Sequence, residues 1–285
     1  MHEFSRLEAL EGALTAKTDF RSTFEWFSAK EHEVLAALRK QGVGQGGYTS
    51  TQAFRDFSAV YDATGSMIPG ARNPRIEFRP LRFVVTIQSE DGREEDLSLA
   101  ELSGGYRIVL ALAADLARRM AQGNPHLEKP LESEAVVLID EVDLHLHPSW
   151  QQRVLGDLMR TFPNTQFIVS THSPHVLSTV KPECIVRLDR QDGSIVAGSA
   201  TSATFGAEAG HVLETEMGVN ERPKNEFSEK LEAYFKLIDH DEHDSEPARE
   251  LRRRLEELSP RDTALDWADG EIRRRQVLKS LGRKP

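Results

Sequence analysis

Two short apolar runs, each ending in polar chemistry, constrain this chain most. Residues Ala135 to Ile139 deliver Asp140 and Glu141, and Gln166 to Val169 deliver Ser170, Thr171 and His172. Unbroken apolar runs of this length read as buried parallel strands, and α/β sheets place ligand sites beyond the carboxyl ends of such strands. The spacer between them starts at Pro148, favourable in a first helical turn, and carries Trp150, Val154, Leu155 and Leu158 as a helix to about Thr161. Phe162, Pro163 and Asn164 break it. Two carboxylates and a histidine at neighbouring strand ends suit Mg²⁺, water and phosphate.

The surrounding pattern supports an α/β fold with a mostly parallel sheet and helices on its faces. Ser22 and Glu25 have the spacing of a capping box, and Phe24, Phe27, Val34, Leu35 and Leu38 recur at helical intervals until Gly42. Phe20, Phe24, Trp26 and Phe27 read as core. The glycines between Gly42 and Gly47 lack the lysine and Ser/Thr of a phosphate loop and read as a connector. Gln52 to Asp62 reads as a helix and Pro69 to Pro74 as a turn. Arg75 to Ser89 reads as two strands interrupted at Pro80, with a tight turn at Glu90, Asp91 and Gly92. Ser103 is placed to cap a helix from Gly104 to Met120, along which Ile108, Leu112 and Leu116 share a face. That helix start, with a serine hydroxyl and two glycines that let backbone approach closely, suits an anion. Pro174 opens a short helix, His175 to Val180, and strands are expected over Cys184 to Leu188 and Ser194 to Ala197. Cys184 reads as a small buried hydrophobe, and a single cysteine rules out a disulfide framework.

Beyond about Thr201 the chain turns helical, so the expected division is 1–200 and 201–285. Phe227, Leu231, Phe235 and Ile238 mark one helix, and Pro247 to Leu258 a charged one supported by Glu250 with Arg254. Asp239 to Asp244 reads as a solvated acidic linker that could alternatively hold a divalent cation. Arg273, Arg274, Arg275, Lys279, Arg283 and Lys284 form a basic run that could touch phosphates or serve as a helix's solvated face. A net charge of −10 argues against a nucleic-acid clamp over the whole surface without excluding this local patch. No run of 18 apolar residues and no signal-peptide pattern occurs, so a cytoplasmic protein that does not cross a membrane is expected.

The motifs carry a resemblance. Asp140 and Glu141 after an apolar run look like a Walker B motif with its catalytic glutamate. Ser170 to Ser173 look like the switch-histidine loop of ABC-class ATPases, and Leu102 to Gly105 like the ABC signature. The wording D-E-V-D-L-H-L-H-P-S-W-Q followed by T-H-S-P-H-V-L is similar to the OLD/RecF-like branch, especially the AAA-family ATPases of retron and Septu-type anti-phage systems. The likeness covers roughly Leu97 to Leu188. It implies a P-loop NTPase fold of the ABC-ATPase head type and the cofactors ATP and Mg²⁺, with Asp140 holding the metal, Glu141 activating water and His172 sensing the γ-phosphate. It also implies a homodimer in which Ser103, Gly104 and Gly105 close on the partner's nucleotide, with Asp143 and His147 at the interface. A DNA-related client, in repair or phage defence, and a nuclease partner are further implications.

One departure stands out: no G-x-x-x-x-G-K-[ST] occurs in the 285 residues. Relatives carry that loop N-terminal to a segment like this one. The chain therefore resembles the C-terminal part of an ATPase head, and weak or absent nucleotide binding is expected of it alone. Two competing readings are a degenerate ATPase module that scaffolds a nuclease, and a metal-dependent nuclease using Asp140, Glu141, Asp143, His145 and His147.

Overall fold

The computed structural model describes residues 20–41, 51–78, 81–89 and 91–281. The expected connector at Gly42 to Gly47, the Pro80 interruption, the Glu90 corner of the turn, the side chains of Phe20 and Ser22, and Arg283 and Lys284 lie outside them. The chain divides into two compact units, residues 1–216 and 217–285. Where a division at residue 200 is expected, the compact units part at 216, and residues 201–216 are tied to the rest of the first unit by Thr204 Oγ1 donating to the Val180 carbonyl and Gly206 N to the Ser178 carbonyl, both at 2.8 Å.

In the first unit α1 (Phe20–Gln41) and α2 (Gln52–Met67) pack against α3 (Gly104–Gly123). The expected start at Ser22 lies inside α1. Ala59 and Ala63 of α2 and Ala113, Ala117 and Ala121 of α3 are buried in one core, so these helices meet through side chains small enough for close approach. Trp26, Phe27, Val60, Met67, Leu110 and Leu158 fill the space around them, confirming Trp26 and Phe27 as core. A buried ionic cluster ties α1 to α3: Asp115 accepts from Thr23 Oγ1 at 3.1 Å, Arg118 Nη2 at 2.7 Å and Arg119 Nε at 2.7 Å.

Seven strands form three sheets among the described residues. β1 (Ala71–Phe78), β2 (Leu81–Gln88) and β3 (Glu94–Ser98) are antiparallel. The turn expected at 69–74 is shorter, closing at Gly70, whose φ is +73° and where a Cβ would lie 2.4 Å from the Gln88 carbonyl oxygen. β1 then runs through Pro74, and its register shifts between Arg72 and Arg75, where proline offers no N–H to the ladder. β4 (Ala135–Ile139) and β5 (Thr165–Val169) are the parallel pair, and β6 (Val186–Gln191) and β7 (Ser194–Ser199) form an antiparallel hairpin. The architecture is mixed α/β, with parallel pairing confined to β4 and β5.

The strands expected to be buried are covered on one face only. Ala135, Val137, Ile139, Phe167 and Val169 pack on the core, whereas Val136, Leu138 and Ile168 are 60%, 75% and 52% exposed. Between β4 and β5 the single expected helix is two, α4 (Pro148–Gln151) and α5 (Val154–Thr161). An i to i−3 bond from Arg153 N to the Trp150 carbonyl at 3.1 Å tightens the chain between them. After β5 come α6 (Pro174–Leu177), the β6–β7 hairpin and α7 (Ala209–Thr215). Cys184 is exposed, not buried, because it closes a tight turn at Pro182–Cys184 before β6 begins.

The second unit is a helical cluster of α8 (Glu226–Asp239), α9 (Glu246–Leu258) and α10 (Thr263–Ser280) around Leu231, Ile238, Leu255 and Leu265. Glu250 pairs with Arg253 and not with the expected Arg254, which bonds Glu226 and Glu257 instead. Of the four described members of the basic run, Arg274, Arg275 and Lys279 are paired within the unit, and Arg273 bonds only the Asp269 carbonyl. Arg274 and Arg275 both bond Glu271, Arg275 also reaches Asp239, and Lys279 pairs with Asp241. Glu271 is held down to about 2 by its hydrogen bonds from Arg274 and Arg275. Among the described residues no helix is long and apolar enough to cross a membrane.

Candidate functional site

The parallel register pairs Ile139 with Val169, so Asp140 and Ser170 emerge side by side. Backbone pairing continues past the strands, with Ser170 N donating to the Ile139 carbonyl and Val142 N to the Ser170 carbonyl, both at 3.0 Å. The Ser170 hydroxyl then does two things. It donates to Asp140 Oδ1 and accepts the Glu141 backbone N–H at 2.8 Å. Glu141 has a φ of +51°, the left-handed region that non-glycine residues occupy at a cost of about 1–2 kcal/mol. The Ser170 bond is one interaction that holds it there.

The following residues lock the same way. Thr171 Oγ1 donates to Asp143 Oδ1 and accepts from Ser173 N at 3.0 Å, and His172 N donates to Asp143 Oδ1 at 3.3 Å. Ser173 Oγ donates to Gln151 Oε1 at 2.7 Å and caps α6 by accepting from His175 N and Val176 N at 3.1 and 3.3 Å. Gln151 in turn donates to the Leu146 carbonyl at 2.9 Å. Three hydroxyls and one oxygen each of Asp140 and Asp143 are thereby spent on holding the two loops together. Among the described residues, three exposed groups have no hydrogen-bond partner: the Glu141 carboxylate, the second oxygen of Asp140 and the His172 imidazole. The expected trio is brought together at the strand ends. Ser170 and Gln151 were not singled out as site residues from the sequence, although a run of hydroxyls directly after a strand is a signal for such bracing.

The start of α3 lies elsewhere on the same unit. Ser103 accepts the Tyr106 N–H at 3.5 Å, a long cap. A Cβ on Gly105 would meet Leu146 Cδ2 at 3.9 Å and Trp150 Cδ1 at 4.0 Å, while one on Gly104 would meet nothing within 4 Å. Tyr106 and Trp150 stack edge to face with centroids 5.0 Å apart, so α3 is braced on the loop that follows Asp143. Among the described residues no hydrogen bond joins Ser103, Gly104 or Gly105 to Asp140, Glu141 or His172. His147 caps α4, its Nδ1 accepting from Ser149 N at 3.3 Å, and His145 has a φ of +61°.

Among the described residues, no group of three or more His, Cys, Asp or Glu side chains could hold a metal by itself. The five-residue nuclease centre and the cation site in the Asp239 to Asp244 linker are therefore not formed. Asp143 is engaged by Thr171 and His172, and His147 by the α4 cap. A single free carboxylate oxygen on Asp140 does fit Mg²⁺, which takes one or two protein carboxylates and completes its octahedron with phosphate oxygens and water.

The chain is 38% identical to the retron Ec83 probable ATPase of Escherichia coli over 218 residues, covering 76% of this chain and 39% of that protein. It is 31% identical to the Septu protein PtuA of Bacillus mycoides over 167 residues, covering 49% of this chain and 23% of that one. The chain thus spans less than half the length of either relative. A solved SMC ATPase, described by its ATP-driven dimerisation and DNA-stimulated activation, aligns at 19% identity with a TM-score of 0.39, over 51% of this chain and 85% of that one. Residues 21–178, more than half of the chain, match the family described as "AAA domain, putative AbiEii toxin, Type IV TA system", and the chain belongs to that family.

Proposed function

We infer that this chain forms the catalytic half of an ATP-hydrolysing site in an AAA-family ATPase serving a retron- or Septu-type defence complex. The observation that supports it most is the pattern of spent and free groups. Ser170, Thr171, Ser173 and Asp143 are consumed in bracing, while Glu141, one oxygen of Asp140 and the His172 ring face outward unpaired. In this reading Asp140 holds Mg²⁺, whose charge neutralises the phosphates. Glu141 orients and accepts a proton from the attacking water, and His172 donates a hydrogen bond to the γ-phosphate. Ser103, Gly104 and Gly105 act on a nucleotide held by a second copy, which accounts for their lack of bonds to the strand-end trio. The client is a nuclease, and DNA is reached through that partner more than through the neutralised arginines of α10.

Phosphate release at millimolar ATP and Mg²⁺ tests this. Glu141→Gln is expected to abolish release while preserving an ATP-dependent dimer in sedimentation, and unchanged release removes the catalytic assignment. A second reading is a scaffold without turnover, in which the braced loops serve the fold and not a nucleotide. It predicts no release from the unsubstituted protein and an unaltered complex with the partner in the Glu141→Gln variant.

A further inference from the structure

The loop after β4 and the loop after β5 meet at Ser170 and at Asp143, and the ATPase reading gives Asp143 no task inside its own protomer. Asp143 Oδ1 accepts both the Thr171 hydroxyl and, at 3.3 Å, the His172 backbone N–H. His172 has no other bracing: its ring is exposed, with no protein partner among the described residues. Asp143 itself is fixed from below, because Leu146 N donates to its carbonyl at 3.0 Å and Gln151, which bonds that turn, also holds Ser173. The loop carrying Glu141 and the loop carrying His172 are thus one hydrogen-bonded piece, joined at Ser170 and at Asp143.

We propose that Asp143 is a positioning residue: it fixes the backbone of His172 so that the ring points where a γ-phosphate would lie, in register with Glu141. The proposal rests on the ATPase reading and assigns Asp143 a task inside its own protomer, in addition to any place at a dimer interface. Charge is not what the position needs. An acceptor oxygen at the same place suffices, so Asn should substitute and Ala should not. A misplacement of about 1 Å in a reacting group costs on the order of 100-fold in rate, so the penalty for losing this acceptor should fall on turnover and not on folding.

The test follows the His172 ring resonances by NMR in the full chain with labelled histidine, while MgATP is raised to millimolar concentration. Unsubstituted protein and Asp143→Asn are expected to show the ring shift on MgATP addition. Asp143→Ala should lose it at equal nucleotide occupancy, with melting unchanged. Where turnover is measurable, kcat should fall on the order of 10- to 100-fold in Asp143→Ala with KM held. An equal shift in Asp143→Ala overturns the positioning role while leaving the ATPase reading intact. In unsubstituted protein whose nucleotide occupancy is shown directly by saturation of the ATP resonances, a ring that does not respond removes His172 from the phosphate, and both claims fall together. Should Asp143→Ala melt early, Thr171→Val deletes the hydroxyl arm of the same contact, along with the acceptor for Ser173 N, and leaves the His172 N–H bond to Asp143 in place. A partly reduced shift is expected there, and a full shift in it overturns the proposal.

Discussion

Glu141 and Glu216 show how two acidic residues of one chain come to opposite uses. Glu141 is exposed and left free, whereas Glu216 is buried and fully engaged, accepting from the backbone N–H groups of Thr201 and Ser202 at 2.9 and 2.7 Å and from both hydroxyls. Burial alone would raise the Glu216 carboxyl, but the bonds from Ser202 and Thr201 outweigh it, and the group is held below its ordinary 4.5. A carboxyl lowered by folding stabilises the fold above the unfolded value and stops doing so as pH falls through the folded one. The protection of the Thr201 and Ser202 amides, taken relative to their intrinsic exchange rates at each pH, is therefore expected to be high at neutral pH and to fall on acidification below 4.5. Glu216→Ala should cost about 1–3 kcal/mol at pH 7 in denaturant melts, by stranding those donors. At this scale the sequence showed Asp140, Glu141 and His172, because strand ends are where such residues collect. It hid Glu216, and it named Asp143 for an interface without showing its bonds to Thr171 and His172, since a bond across many residues leaves no local spacing to read.

At the scale of elements, helix α3 gives the sharpest contrast between fold and function. Neither Gly104 nor Gly105 has a positive φ, and nothing among the described residues fills the space within 4 Å of a Cβ on Gly104. Alanine is the better helix former, so Gly104→Ala is expected to leave the melting temperature unchanged or raise stability by up to about 1 kcal/mol. If the glycine exists to admit a partner's nucleotide, the same variant loses ATP-dependent dimerisation. Retained dimerisation in analytical ultracentrifugation would show that the glycine serves no contact beyond the chain. Helix periodicity and the Ser103 cap made α3 legible from sequence alone. The division of α4 from α5 was not, because it depends on how Trp150 packs beneath Arg153, whose guanidinium lies 5.0 Å from the Trp150 ring. The early start of β1 was missed for a similar reason: Pro74 argues against a strand until an edge irregularity accommodates it.

For the whole molecule, the apolar runs at β4 and β5 were read correctly as strands and incorrectly as buried on both faces. Apolarity records what a face is suited to meet, and in this chain Val136, Leu138 and Ile168 meet water. On the β6–β7 hairpin Val186, Leu188 and Ile195 do the same. Large exposed apolar patches mark interaction or association surfaces, so Leu138→Lys is expected to reduce concentration-dependent light scattering without lowering the melting temperature. A drop of several degrees would mean that the face is packed in solution. The uncovered face also has a calorimetric signature. Unfolding raises heat capacity in proportion to the apolar area it newly exposes, and side chains already hydrated in the native state add nothing to that step. This chain should therefore unfold with a smaller increment per residue than the usual ~12–15 cal/mol/K. Whatever covers Leu138 and its neighbours should bind with a negative heat-capacity change that returns the missing part.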